Sequence, residues 1–84
     1  MIKVSGPRKA QAGTTSCVTV TGVGLGFSAT AFSSTGSVKL KISLDPVTHT
    51  AKIYFEVPAA GNLVMINVAD NGNDKGDNHT VLCV

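Results

Sequence analysis

Two neighbouring segments, residues 37–44 and 50–57, alternate strictly between apolar and polar side chains. Such period-two alternation is what a strand with one buried and one solvated face requires. If the chain folds back through Asp45 and Thr50, with these two residues opposite each other, apolar residues face apolar ones. A shift of one residue would turn every apolar side chain to water. We therefore predict an antiparallel hairpin in this register.

The hairpin would have one buried and one solvated face. The pairs predicted on the buried face are Val38 with Val57, Leu40 with Phe55, Ile42 with Ile53 and Leu44 with Ala51. Those predicted on the solvated face are Lys39 with Glu56, Lys41 with Tyr54 and Ser43 with Lys52. The chain is therefore expected to be a β protein.

Length and composition favour one small domain with a thin core. The chain has 84 residues, and we assign residues 1–84 to a single domain. Only 14% of its residues are charged, against roughly 25% in an average soluble domain. Its apolar residues are mostly small or β-branched, which suits two packed sheets. No apolar run is long enough to cross a membrane, and the N-terminus has no apolar signal core.

Turn residues divide the chain into short strands about ten residues apart. Residues 8–13 are the only place where a helical turn could form, and no long helix is expected anywhere. The strands are predicted at residues 2–4, 14–21, 27–32, 37–44, 50–57, 62–69 and 79–84. About seven antiparallel strands in this arrangement indicate an all-β immunoglobulin-like β-sandwich. A small Greek-key barrel is the alternative fold.

The turn residues also resemble those of a known family. Ser5-Gly6-Pro7, Ala12-Gly13-Thr14, residues 18–22 and residues 24–27 are similar to the opening of the immunoglobulin-like IPT/TIG modules. Residues 55–58, 61–62 and 64–68 are similar to the second half of such modules. The segments at 23–26 and 70–78 are longer than the family pattern. The resemblance implies an immunoglobulin-like fold and a role in binding, spacing or decoration.

The two cysteines are predicted to face in different directions. Val18 and Val20 are expected to point inward, which turns Cys17 outward. On the last strand Val81 and Cys83 share one face, and if that face points inward the two sulfurs lie on opposite sides of a sheet. A Cys17–Cys83 bridge would close a loop of about 66 residues and be worth roughly 4 kcal/mol. Two reduced cysteines fit a cytosolic product better, with the bridge left as an alternative.

The polar segment 70–78 is the one candidate for a metal site. Its oxygen-bearing side chains suit a hard cation such as calcium, and the candidate ligands are Asp70, Asn73, Asp74 and Asp77. However, the EF-hand order fails, since Gly72 and Lys75 fall at ligand-loop positions three and six and no glutamate follows at twelve. We therefore expect a solvated connection and no metal or other cofactor.

Other patterns give no support for catalysis. The glycine-rich segment 22–26 is not followed by a helical pattern, so a phosphate loop is not expected. His49 and His79 have no second ligand at metal-binding spacing. No Gly-x-Ser-x-Gly nucleophile motif occurs. We therefore predict that the protein is not an enzyme.

The candidate contact residues are basic. They comprise Lys3, Arg8 and Lys9 near the N-terminus, and Lys39, Lys41, Lys52 and Tyr54 on the solvated face of the hairpin. One aromatic ring and a net charge of +2 do not favour nucleic-acid binding, which uses several stacking rings and more arginine. A protein surface is the expected partner, and neither nucleic acid nor a membrane is.

These features together predict a non-catalytic structural or interaction module. The expected role is a small virion-surface protein, such as a phage capsid decoration (cement) protein, that is made in the cytoplasm and docks on capsid subunits. Self-association into a homo-oligomer is left open. The alternative is a binding or spacer domain excised from a larger extracellular protein or enzyme, with segment 70–78 binding a glycan or calcium. A small cytosolic ligand-binding or inhibitory protein is the third hypothesis.

Overall fold

A computed structural model describes residues 2–23, 26–70 and 76–84, which form strands joined by turns. The strands are β1 Lys3–Ser5, β2 Lys9–Ala10, β3 Thr15–Thr21, β4 Phe27–Ser33, β5 Gly36–Ser37, β6 Leu40–Asp45, β7 Thr50–Glu56, β8 Leu63–Asp70 and β9 Asp77–Cys83. The described residues contain no helix long and apolar enough to span a bilayer.

The strands form two sheets that pack face to face. One has the order β1-β3-β7-β6 and the other β2-β9-β8-β4-β5. Within the described ranges, β2 with β9 is a parallel pair and the others are antiparallel. In the letters used for immunoglobulin domains, the first sheet is A-B-E-D, and the second contains the G-F-C order. The predicted immunoglobulin-like β-sandwich is confirmed.

The central hairpin has the predicted register. Asp45 lies opposite Thr50, and Ile42 lies opposite Ile53. On its other side β7 pairs with β3, which places Val18 opposite Ile53. The alternation therefore identified both the pairing and its buried face.

The prediction that residues 37–44 form one strand was wrong. Ser37 belongs to β5 in the five-stranded sheet, and the Val38 amide donates to the Ala31 carbonyl at 2.9 Å. The chain then crosses to the other sheet, where β6 begins at Leu40. The ladder therefore lacks the predicted pairs Val38–Val57 and Lys39–Glu56. Alternation persists across the crossing because Val38 still packs against the core.

Residues 8–13, the only place where the sequence allowed a helical turn, contain none. Part of this segment forms β2, which pairs with β9. The Arg8 carbonyl accepts from the Leu82 amide at 2.8 Å, and the Ala10 carbonyl accepts from the Val84 amide at 2.9 Å. The edge of β9 would otherwise leave backbone groups without partners. Long-range pairing satisfies these groups, which an isolated helical turn could not do.

The core is built mainly from valine and isoleucine of both sheets. Its buried residues are Ile2, Val4, Val18, Val20, Val23, Ala31, Ala51, Ile53, Phe55, Val57, Val64, Ile66, Val68, Val81 and Cys83. One residue of the predicted inward row departs from expectation, since Ile42 is 42% exposed. The reason is its position on β6, the outermost strand of its sheet.

The cysteines face as predicted. Cys17 is half-buried on β3 opposite Tyr54, whereas Cys83 is buried in the core, and both are free thiols. Burial raises the pKa of the Cys83 thiol, which keeps it in the less reactive protonated form. The two thiols therefore differ in their access to solvent.

Alkylation with iodoacetamide should distinguish the two thiols. In the native protein we expect Cys17 to react at least about 100-fold faster than Cys83, because Cys83 must await opening of the sandwich. Mass spectrometry over time measures both rates. Cys17→Ser should remove the fast phase and Cys83→Ala should retain it, while both thiols should react alike in denaturant. Fast native labelling of Cys83 would contradict its placement.

Candidate functional site

The predicted basic contact residues do not share one surface. Four of the seven lie on the outward face of the four-stranded sheet or at its margin: Lys3, Lys41, Lys52 and Tyr54. Lys41 lies opposite Tyr54. Lys39 is exposed immediately before β6. Arg8 and Lys9 lie instead at an edge of the five-stranded sheet, where Lys9 pairs with Leu82. The structure therefore divides this set between the two sheets.

An open groove of about 620 Å³ lies beside β6 and β7. We call it the lysine groove. Its polar lining is Thr15, Ser33, Thr35, Ser37, Lys39, Lys41, Tyr54 and Glu56, and its apolar lining is Val38, Leu40, Phe55, Val57 and Pro58. The structure thus joins three of the predicted contact residues in one concavity. Its two ammonium groups, one carboxylate and several hydroxyls offer hydrogen bonds to a polar ligand.

The four candidate calcium ligands do not all lie in one loop, as had been expected for segment 70–78. Asp70 ends β8 and Asp77 begins β9, so both belong to strands. Asn73 and Asp74 lie outside the described residues. Within the ranges that the structure describes, no group of three or more His, Cys, Asp or Glu side chains could hold a metal ion.

The Asp77 carboxylate links the two sheets. Its Oδ2 accepts a hydrogen bond of 2.8 Å from the backbone amide of Val4, on β1 of the other sheet. This bond and a second one from the Asn78 backbone hold the pKa of the Asp77 carboxyl below its usual value, with smaller contributions from Lys3 and His79. This role could not be foreseen from local sequence, because Val4 and Asp77 lie at opposite ends of the chain.

Asp77→Asn should therefore destabilise the protein in a pH-dependent way. A carboxyl whose folded-state pKa is lowered contributes stability above its unfolded value, and loses it as the pH falls through the folded pKa. We expect the melting temperature of the variant to lie below that of the wild type at pH 7, and the difference to shrink below about pH 4. Thermal melts from pH 2 to 7 measure this. Thr80→Ala is the uncharged control on the same strand, and a pH-independent difference for Asp77→Asn would contradict the assignment.

An apolar surface that was not predicted from the sequence lies on the five-stranded sheet. Phe32 lies opposite Met65, and Leu63 lies opposite Leu82. Phe32 is 53%, Leu63 54% and Met65 46% exposed. We call these four residues the apolar patch. A signal was present, since residues 63–66 are apolar at four successive positions, whereas a strand with one solvated face should alternate.

The outward face around the apolar patch is uncharged along its three central strands. The outward positions described are Ser28, Thr30 and Phe32 on β4, Leu63, Met65, Asn67 and Ala69 on β8, and Asn78, Thr80 and Leu82 on β9. A shallow hollow of about 240 Å³ among their hydroxyl and amide groups lies towards the Ser28 end of the face. This face differs in kind from the lysine-bearing face of the other sheet.

No protein-family model matches this sequence, and no curated protein matches it. What the protein can bind is therefore inferred from the geometry and chemistry of its two sheet faces.

Proposed function

We propose that this protein is a non-catalytic structural module that attaches to a larger protein assembly through the outward face of the five-stranded sheet. Capsid subunits are the class of partner that we propose, with a virion surface as its location. The observation that supports this is the apolar patch of Phe32, Leu63, Met65 and Leu82. Exposed contiguous apolar surface rimmed by polar groups is typical of interaction sites.

The patch can contribute usefully to binding energy. Complete burial of a large apolar side chain is worth about 1.5–3 kcal/mol. Phe32, Leu63 and Met65 are each about half exposed, so covering each one is worth about 1 kcal/mol. The surrounding serine, threonine and asparagine side chains supply hydrogen bonds at the rim, as in protein interfaces generally.

The charge distribution indicates the chemistry of the partner surface. The central strands of this face carry no charged side chain among the described outward positions, so the face suits an uncharged, partly apolar partner surface. A charge on the partner would be buried here without a pairing group, which is costly. Lys9 lies beside Leu82 at the margin of this face and can contact an acidic rim. Lys41 and Lys52 lie on the outward face of the other sheet, where they would stay solvated and keep the docked protein soluble.

The size of the face is also suitable. A stable interface of standard size uses about 800 Å² of each partner. The described surface of the protein is 5150 Å², so such an interface would take about a sixth of it. One face of a two-sheet sandwich, with its flanks, can supply this area.

Sedimentation of the native protein with its assembly tests the proposal. We expect wild-type protein to sediment with particles, and Met65→Asp or Phe32→Asp to reduce the bound fraction at least tenfold. Thr19→Asp places the same charge on the outward face of the other sheet and should leave binding unchanged. A wild-type protein found only as a free species would refute attachment. Loss of binding in Thr19→Asp alone would move the interface to the lysine-bearing face.

A binding or spacer domain of a larger extracellular protein or enzyme is the second candidate function. The lysine groove favours it, because its volume lies within the 300–1,000 Å³ range of small-molecule sites. Its lysines and hydroxyls suit an acidic glycan or a similar polar ligand. Binding to a glycan array that is lost in Lys41→Ala would support this function. A melting temperature of the protein that rises when calcium is added would support a calcium site in segment 70–78.

A further inference from the structure

The four-stranded sheet ends in a long strand whose outer side has no described partner. β6 pairs with β7 on one side and is the last strand of its sheet. The other strands at sheet edges are shorter: β1 has three residues, and β2 and β5 have two each, against six in β6. An open edge of this length presents backbone donors and acceptors that can pair with another strand.

The side chains of β6 also leave apolar surface at this edge. Ile42 belongs to the inward row with Leu40 and Leu44, yet it is 42% exposed. A further strand laid alongside β6 would extend the sheet and cover Ile42. Among the described residues, the outer side of β6 therefore has neither a strand to pair with nor an apolar side chain beside Ile42.

We propose that β6 pairs antiparallel with β6 of a second copy of this chain, about a two-fold axis through Ile42. The two four-stranded sheets would then form one continuous eight-stranded sheet. The cross-strand pairs would be Ile42 with Ile42, Leu40 with Leu44, Lys41 with Ser43 and Lys39 with Asp45.

Charge complementarity supports this register. It places Lys39 of each copy opposite Asp45 of the other, and opposite charges across a ladder are stabilising. The Asp45 carboxylate is already held in place, since its Oδ1 accepts from the Val47 amide at 3.0 Å. The pairing thus brings two lysines towards two fixed carboxylates.

Alternative registers are disfavoured by specific residues. A two-fold axis through Lys41 would place Lys41 opposite its own copy, and an axis through Leu40 would place Lys41 opposite Lys39; like charges across a ladder repel. An axis through Ser43 or Leu44 would bring Pro46, which has no amide proton to donate, into the ladder opposite Leu40 or Ile42. A slip of one residue would set inward side chains against outward ones. The axis through Ile42 avoids all three conflicts.

The expected association is weak, because a single pair of six-residue strands buries less area than a stable interface needs. Copies attached side by side to one assembly would have a high effective concentration, so weak contacts would suffice to link them. The edge and the apolar patch belong to different sheets. Their contributions can therefore be measured separately.

Sedimentation equilibrium of the purified protein over a wide concentration range tests the pairing. We expect reversible dimers, with Ser43→Glu tightening the association about threefold because it places a carboxylate opposite Lys41 of the other copy. Ser43→Lys should weaken it by a similar factor, and Ile42→Lys at least tenfold. Asp45→Asn retains an acceptor for the Val47 amide but should weaken association two- to threefold.

Two matched controls make the outcome decisive. Thr19→Glu places the same charge on an inner strand of the same sheet and should leave dimerisation unchanged. Met65→Asp should also leave dimerisation unchanged, while it reduces attachment to an assembly at least tenfold. A wild-type protein that stays monomeric at millimolar concentration would overturn the proposal. So would equal effects of Ser43→Glu and Ser43→Lys, or dimers that Met65→Asp dissociates.

Discussion

Ile53→Ala should lower the free energy of unfolding by about 3–4 kcal/mol. Ile53 is fully buried at the centre of the four-stranded sheet, between Val18 on β3 and Ile42 on β6. Truncation removes its buried apolar contacts and leaves a cavity that the surrounding sheets can close only in part. In a domain of this size, the loss corresponds to a fall in melting temperature of roughly 15–25 °C.

Ile42→Ala is the matched control for this prediction. It removes the same atoms from the residue directly opposite, but Ile42 is 42% exposed at the sheet edge. We expect a loss of only about 1 kcal/mol, because little of a cavity forms there. Urea unfolding of both variants at low protein concentration, where β6 is unpaired, measures the difference. Equal losses would contradict the burial difference between centre and edge.

Gly76→Ala should destabilise the protein by about 2–3 kcal/mol. A Cβ atom at position 76 would overlap the carbonyl oxygen of Val68 and lie 3.2 Å from the Cα of Ala69. Both obstacles are backbone, which cannot move without opening the end of the β8–β9 ladder, where Val68 pairs with Asp77. Displacing Asp77 would also weaken its hydrogen bond to Val4.

Gly13→Ala provides the comparison for Gly76→Ala. A Cβ at position 13 would meet nothing within 4 Å, but its φ of +81° is in the left-handed region. We expect a loss of about 1 kcal/mol from backbone strain alone. Hydrogen exchange should also separate the two, with faster exchange of the Val68 and Asp77 amides only in Gly76→Ala. Wild-type stability of Gly76→Ala would contradict the close approach of β8.

Local alternation predicted much of the fold correctly. The register of Ile42 with Ile53, and the opposite facing of Cys17 and Cys83, follow from the two-residue period of a strand. This period repeats along each strand, so it can be read without knowing which strands are neighbours. The same alternation continued across the change of sheet at Val38, which is why the sequence predicted one strand where two occur.

The candidate sites were harder to predict because they depend on which strands become neighbours. Lys41 and Tyr54 were correctly paired, since both lie on one hairpin. Lys3 and Lys9 are close in sequence but lie in different sheets. The apolar patch requires the pairing of Phe32 with Met65, two residues far apart in the chain. The four successive apolar residues 63–66 indicate a strand with apolar side chains on both faces. They do not indicate the apolar patch, which also needs side chains from neighbouring strands.

Side-chain alternation and turn residues are local properties, and they were enough to establish a β-sandwich with its central hairpin in register. Long-range packing established the rest: the Asp77 link between sheets, the parallel pairing of β2 with β9 and the apolar patch. The physical reason is that a strand's own sequence specifies which side chains share a face. Which faces and edges become covered depends on strands distant in the chain, whose pairing is the outcome of folding.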